Sequence, residues 1–224
     1  IIEENTYTSQ SQPFFHAIQK LKESNELSPL QQRIIDSSYQ EMFLSGIGLI
    51  GSEKERFNQI TLSLGELSTS FSNNVLDSIK NYEFYITEEK YKSSMKEIPK
   101  FALELFSQAA KEKYPDSSPK NGPWKISLDG PSIMPFLNHC PNEELRKHVY
   151  LAFISKASSG NENNMPIMKK ILNLKEERAH LLGYKNHVAV SLSEKMASTQ
   201  DEVEKILNNL NDKAKTYAQN DMNE

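Results

Sequence analysis

An apolar stripe between residues 57 and 79 sets the strongest limit on the fold of this chain. Its members recur at steps of three or four residues: Phe57, Ile60, Leu64, Leu67, Phe71, Val75 and Ile79. This spacing predicts a single amphipathic helix about 40 Å long, at about 1.5 Å per residue. Because the stripe is close to a heptad repeat, a neighbouring helix should pack along its length.

Other stretches carry helix boundary signals. Residues 28–31, Ser-Pro-Leu-Gln, combine an N-cap, a proline in the first turn and a capping-box glutamine, and predict a helix that ends near Gly46. Capping boxes are also predicted at 52–55 and at 199–202. Two more helices are predicted, one opened by Pro141 with Leu145, Val149 and Phe153, and one with Ile167, Ile171, Leu174, Arg178 and Leu181 that ends at Gly183.

Two short stretches break the helical period. Apolar residues alternate at Tyr82, Phe84 and Ile86, and again at Trp124, Ile126 and Leu128. Such alternation predicts strands, and we expect residues 82–87 to pair antiparallel with 124–128, with a helix around Phe101 to Ala109 between them. The polar run 158–164 is predicted to be an exposed loop.

The fold class predicted from these patterns is mostly α, a multi-helix domain with long amphipathic helices and one small two-stranded ribbon. Eight glycines and ten prolines in 224 residues are too few for a turn-dense β fold. A net charge of −4 with interspersed signs argues against nucleic acid and against polybasic membrane attachment as partners. The single cysteine, Cys140, cannot form an internal disulfide, which fits a reducing compartment.

No catalytic or metal site emerges from the residues alone. None of the five histidines is followed by glutamate, so the helical zinc motif His-Glu-x-x-His is missing from the sequence. Glu177 and His180 form the nearest metal-like pattern, Glu-x-x-His, but a di-iron bundle needs two such motifs with two further glutamates. A solvated helix face is the favoured interpretation of this pair.

Two other histidine pairs have plain structural interpretations. Glu144 and His148 stand four residues apart, as a surface pair on a helix would. His139 and Cys140 could suggest a thiol nucleophile, but a catalytic thiol usually has its histidine adjacent in space rather than in sequence. We therefore interpret Cys140 as a small hydrophobic residue at a helix end.

Four stretches, in order, resemble the N-terminal region of the thimet oligopeptidase and oligopeptidase A family of zinc metallopeptidases. They are FLSGIGL (43–49) with LSTSFSNNVLD (67–77), NGPWKISLDGPS (121–132), LRKHVYLAF (145–153) with SKASSG (155–160), and ILNLKEERAHLLGY (171–184) with SLSEKMA (191–197). The order and spacing match the family from about residue 29 to 210, and the second and third stretches are most similar to the oligopeptidase A branch.

The resemblance implies a mostly helical enzyme of two domains facing each other across a channel. Zinc on the channel floor would activate water against the scissile bond of a short peptide. Residues 1–224 would then be a single helical N-terminal segment that forms much of the non-catalytic wall. Its partners would be short peptides and its own catalytic domain. No zinc, catalytic or substrate-binding residue of the family can be assigned to this sequence, so the fragment alone should be inactive.

Two interpretations remain open. In the first, the chain is the start of a full peptidase, which fits a sequence that begins without Met and is still helix-patterned at Glu224. In the second, it is a stand-alone helical module that binds a peptide or a protein without catalysis. The cytoplasm is the expected compartment, with the mitochondrion or plastid as the alternative.

Overall fold

A computed structural model describes residues 10–23 and 27–223, and these residues are about 70% helical. The described helices are α1 (Gln12–Lys22), α2 (Pro29–Leu44), α3 (Gly51–Lys80), α4 (Glu89–Lys92), α5 (Lys100–Ala110), α6 (Gly130–His139), α7 (Glu143–Ile154), α8 (Met165–Leu181), α9 (His187–Leu192) and α10 (Gln200–Asn223). Strands β1 (Tyr85–Ile86) and β2 (Trp124–Lys125) form one sheet, and single 3₁₀ turns lie at Ser93–Met95 and Gly160–Glu162. The prediction of a mostly α fold is confirmed.

The chain divides into two compact units, whose boundaries fall inside α3 and α8. One unit comprises the chain up to Leu64 together with residues from Ile171 onward, and the other is Gly65–Lys170. The first contains α1 and α2, which pack through a small core of Phe15, Ile18, Met42 and Ile47. That the whole segment acts as one domain of a larger protein stays a prediction.

The turn after α2 is fixed by Gly46. Its φ of +78° is the left-handed conformation that glycine adopts without strain. The amide of Ile47 donates to the carbonyl of Met42 (3.3 Å), and the amide of Gly46 donates to that of Phe43 (2.9 Å). These two bonds form a Schellman motif, which confirms the predicted helix end. At the other end of α2, Ser28 and Gln31 exchange the two predicted capping-box bonds.

The predicted long helix is α3, whose 30 residues span about 45 Å. The capping box predicted at 52–55 is wrong, because α3 begins at Gly51 and Ser52 therefore lies inside its first turn. The box predicted at 199–202 is half formed. The amide of Glu202 donates to Oγ1 of Thr199 (3.2 Å), but the Glu202 carboxylate accepts from the amide of Ser198 (2.8 Å) instead of from Thr199.

The second unit is organised around the predicted ribbon. Strands β1 and β2 are antiparallel, with Tyr85 opposite Lys125 and Ile86 opposite Trp124. The regular pairing covers only part of 82–87 and 124–128, although the amide of Ile126 also donates to the carbonyl of Phe84 (3.0 Å). One face is covered as expected by a core that includes Phe106 on α5, Phe136 on α6 and Val149 on α7. Pro141 precedes the helix it was expected to open, because Asn142 is the N-cap of α7.

The predicted loop, residues 158–164, is exposed at positions 158–161, but Asn164 at its end is 3% exposed. Its Nδ2 donates to the carbonyl of Phe71 (3.0 Å), and its Oδ1 accepts from Nδ2 of Asn74 (2.9 Å). Its own amide donates to the carbonyl of Ala157 (2.8 Å). The prediction of an exposed loop is therefore wrong at Asn164, whose side chain fastens the loop to α3.

Candidate functional site

The Glu-x-x-His pattern on α8 does not bring its two residues together. Glu177 forms a bidentate ion pair with Arg56 of α3, at 2.6 and 2.7 Å, and this pairing lowers the pKa of its carboxyl. His180 Nε2 lies 3.4 Å from a carboxylate oxygen of Glu176 and 3.1 Å from the carbonyl oxygen of Lys185. Both side chains are largely solvated, as predicted, with 42% and 59% of their surface exposed.

His187, at the start of α9, is the more unusual histidine of this region. Its Nδ1 is buried and has no hydrogen-bond partner among the described residues. Burial lowers the pKa of its imidazole, and the nearby charges of Lys175 and Arg178 lower it further, while Glu176 raises it. Its backbone amide donates to the Glu176 carboxylate (3.3 Å). Sequence reasoning missed His187, because no local motif signals that one of its ring nitrogens is buried.

Glu144 and His148 are both exposed on α7, as predicted, but they do not pair with each other. The imidazole of His148 lies instead against the ring of Phe84, with ring centroids 4.5 Å apart. An aromatic contact of this kind contributes to stability beyond the area that it buries. Phe84 lies just before β1 and far from α7 in the sequence, so no local pattern signals this contact.

Cys140 is a buried residue at the end of α6, 2% exposed, and belongs to the core of the second unit. Burial raises the pKa of its thiol, which favours the unreactive protonated form. His139 beside it is exposed. The interpretation as a small hydrophobic residue at a helix end is therefore confirmed.

The second unit carries a surface cavity of about 650 Å³ between α4, α5 and the turn before β2. Its floor is apolar, because Met95 and Trp124 are 1% and 2% exposed. The side chains of Lys96 and Lys120 stand at the exposed rim, while Glu89 is paired with Lys92 at 2.7 Å. The arrangement can hold an apolar group beside an anionic one, but it presents no pair of groups for acid–base chemistry.

Within residues 10–23 and 27–223, no group of three or more His, Cys, Asp or Glu side chains could hold a metal ion. These residues therefore do not fit the zinc site that the resemblance implies for the parent enzyme. In the same ranges, no helix has both the length and the apolar content needed to cross a membrane.

Comparison with known proteins places these features in a family. The profile described as "Peptidase family M3" matches residues 136–224, and the profile "Neurolysin/Thimet oligopeptidase, N-terminal domain" matches residues 1–54. The chain is 42% identical over 195 residues to a probable cytosolic oligopeptidase A of Arabidopsis thaliana, which covers 85% of this chain and 27% of that protein.

Two further relatives extend the match. An organellar oligopeptidase A of Arabidopsis thaliana, chloroplastic/mitochondrial, is 41% identical over 87% of this chain and 25% of its own length. Oligopeptidase A of Escherichia coli is 30% identical over 98% of this chain and 32% of its own length. The chain thus spans about a third or less of the length of these relatives.

Proposed function

The chain belongs to the thimet oligopeptidase and oligopeptidase A family of peptidases, and from that premise we propose that it is the N-terminal, non-catalytic part of a longer zinc-dependent oligopeptidase. The observation that carries this proposal is the order of the two profiles, since the N-terminal-domain profile comes first and the peptidase profile extends through α10. In this role the helical units form part of the wall of a channel that admits short peptides.

Residues of this chain would bind and orient substrate rather than carry out the chemistry. The zinc of the parent enzyme would activate the attacking water, and its ligands would come from outside these 224 residues. His-Glu-x-x-His is missing from the sequence, and the described side chains offer no group that could substitute for it. We therefore expect this chain to contribute no catalytic step and to be inactive alone.

The cytosol is the compartment we propose for the parent protein. One relative is named as cytosolic and another as chloroplastic/mitochondrial, which supports the view that members of this family work in both kinds of compartment. The lone cysteine is buried and free, which is compatible with a reducing environment.

A paired assay tests the proposed function. The 224-residue chain and the full-length product of its gene are purified in parallel, and each is measured for bound zinc and for cleavage of a quenched fluorescent peptide. We expect stoichiometric zinc and chelator-sensitive cleavage only for the full-length protein. Chelator-sensitive cleavage by the 224-residue chain would contradict the assignment of the ligands. A gene product that ends near residue 224 and binds no zinc would favour the stand-alone binding module instead.

A further inference from the structure

Helix α10 is the least buried of the long helices in the described part of the chain. It has 24 residues, and none of them is buried. Its large apolar side chains are exposed, with Ile206, Leu207 and Leu210 at 58–59% and Tyr217 at 73%. In proteins, most of the stability of a helix comes from packing of its apolar face rather than from helix propensity.

The apolar residues of α10 form one continuous face. Val203, Leu210 and Tyr217 are seven residues apart, and Leu207 and Ala214 lie four residues after the first two of them. At about 100° per residue, these positions together with Ile206 cover an arc of about 100°. We call this set of six residues the α10 face. Its opposite side is polar, with Lys205, Asn209 and Asp212 among its residues.

The α10 face has the spacing of a helix-packing surface. Val203, Leu207, Leu210, Ala214 and Tyr217 follow alternating steps of four and three residues, which is the spacing of a coiled-coil seam. Ile206 lies beside this seam and widens it, as in a helix packed against the core of a globular domain. The choice between a second copy and a following segment of the same protein therefore rests on the comparison with relatives.

We propose that the α10 face is the surface on which the polypeptide following residue 224 packs in the full-length protein, through an apolar surface of its own. This rests on the proposed function, in which the chain is the first part of a longer oligopeptidase. The relatives leave ample chain for such a partner, because this chain covers only 25–32% of their length. The peptidase profile also includes the whole of α10.

The test compares the same substitutions in two proteins. Leu210→Glu places a charge on the α10 face. Asn209→Glu places the same charge at the neighbouring position, on the polar side of the helix. In the 224-residue chain we expect both variants to keep the parent Tm, because both positions are exposed. In the full-length protein, Leu210→Glu should lower Tm by about 5 °C or more and Asn209→Glu should not.

Hydrogen exchange provides a second measurement that needs no variant. Backbone amides of α10 should exchange at least about 100-fold more slowly in the full-length protein than in the 224-residue chain. Equal exchange in the two proteins, or equal Tm effects of the two variants in the full-length protein, would overturn the proposal. If both proteins form dimers and Leu210→Glu abolishes the dimers, the α10 face would be assigned to a second copy and the proposal would be overturned.

The outcomes separate this proposal from the proposed function. Protection of α10 in a full-length protein that cleaves no peptide would retain the packing surface and reject the peptidase. Cleavage by a full-length protein whose α10 remains unprotected would retain the peptidase and reject the packing surface.

Discussion

Gly46 shows how one residue without a side chain determines the direction of the chain. It stands at the Schellman turn after α2 with a φ of +78°. A Cβ at this position would also lie 2.8 Å from two ring carbons of Phe57, which is 3% exposed. Two independent effects therefore require glycine here, the left-handed backbone and the close approach of a buried ring.

Gly46→Ala should destabilise the chain, while Gly48→Ala should not. The left-handed conformation alone costs a residue with a Cβ about 1–2 kcal/mol, and displacement of the Phe57 ring adds to this. A Cβ at Gly48 would meet no atom within 4 Å, so that variant should be neutral or stabilised by up to about 1 kcal/mol. Urea unfolding followed by circular dichroism measures the free energy of unfolding of both variants. Equal changes in this free energy would show that neither the Phe57 ring nor the left-handed backbone requires glycine at position 46.

At the scale of elements, the helices that the sequence revealed are those with long periodic stripes. Helix α3 follows directly from residues 57–79, and α2 from its capping box and Gly46. The prediction missed α6, because Pro135 lies inside it, where proline usually interrupts a helix, although Pro131 stands in the first turn, which tolerates proline. Asp129 compensates by capping the helix, with its side chain accepting from the amide of Ser132 (3.1 Å).

Short elements and tertiary contacts were harder to predict. Helix α9 has six residues, too few to show a helical period, and its Asn186 cap is a weak signal alone. The cavity of the second unit brings together α4, α5 and the turn before β2, which are separate in sequence, so no local pattern marks it. The function was inferred from the resemblance to the oligopeptidase family, because the residues alone indicated no active site.

Helix α5 gives a matched pair of phenylalanines for measuring how much its buried face contributes. Phe106 is fully buried and its ring meets that of Phe136 edge-on, with centroids 6.3 Å apart, whereas Phe101 on the same helix is 63% exposed. Phe106→Ala should lower the free energy of unfolding by about 3–5 kcal/mol. Phe101→Ala should change it by no more than about 0.5 kcal/mol.

The only tryptophan of the chain, Trp124, is a convenient probe for this comparison. It lies in the same core as Phe106, and its indole Nε1 donates to the carbonyl of Pro119 (3.2 Å). Its fluorescence therefore reports unfolding of the second unit. Similar urea midpoints for the two variants would mean that the core does not depend on the buried face of α5.

At the scale of the whole molecule, the charged groups determine how stability changes with pH. The chain carries a net charge of −4, with carboxylates such as Asp36 and Glu177 in ion pairs that lower their pKa. Both are largely solvated, so each pair contributes little to stability. These carboxylates lose their contribution only as the pH falls below their ordinary values of 3.8 and 4.5. A loss of stability near pH 6 instead points to a histidine, because imidazole has its ordinary pKa in that range.

We expect that loss to come from His187, whose pKa lies below its ordinary value of 6.5. Burial is the main cause, and Lys175, Arg178 and Lys195 oppose its charging while Glu176 favours it. Because the unfolded chain takes up this proton at a higher pH than the folded chain, stability should be constant above about pH 7.5 and fall as the pH drops below 6.5. Protonation would also place a buried N–H donor where the described residues provide no acceptor.

Urea unfolding at pH 7.5 and pH 5.5 tests this assignment. The unmodified chain should be less stable at the lower pH, and His187→Gln should reduce that difference because glutamine does not titrate. His139→Gln, at an exposed position, should keep the difference, since His187 is still present. A pH dependence that persists in His187→Gln would place the proton uptake at another residue, and His187 would then have no part in the acid response of the chain.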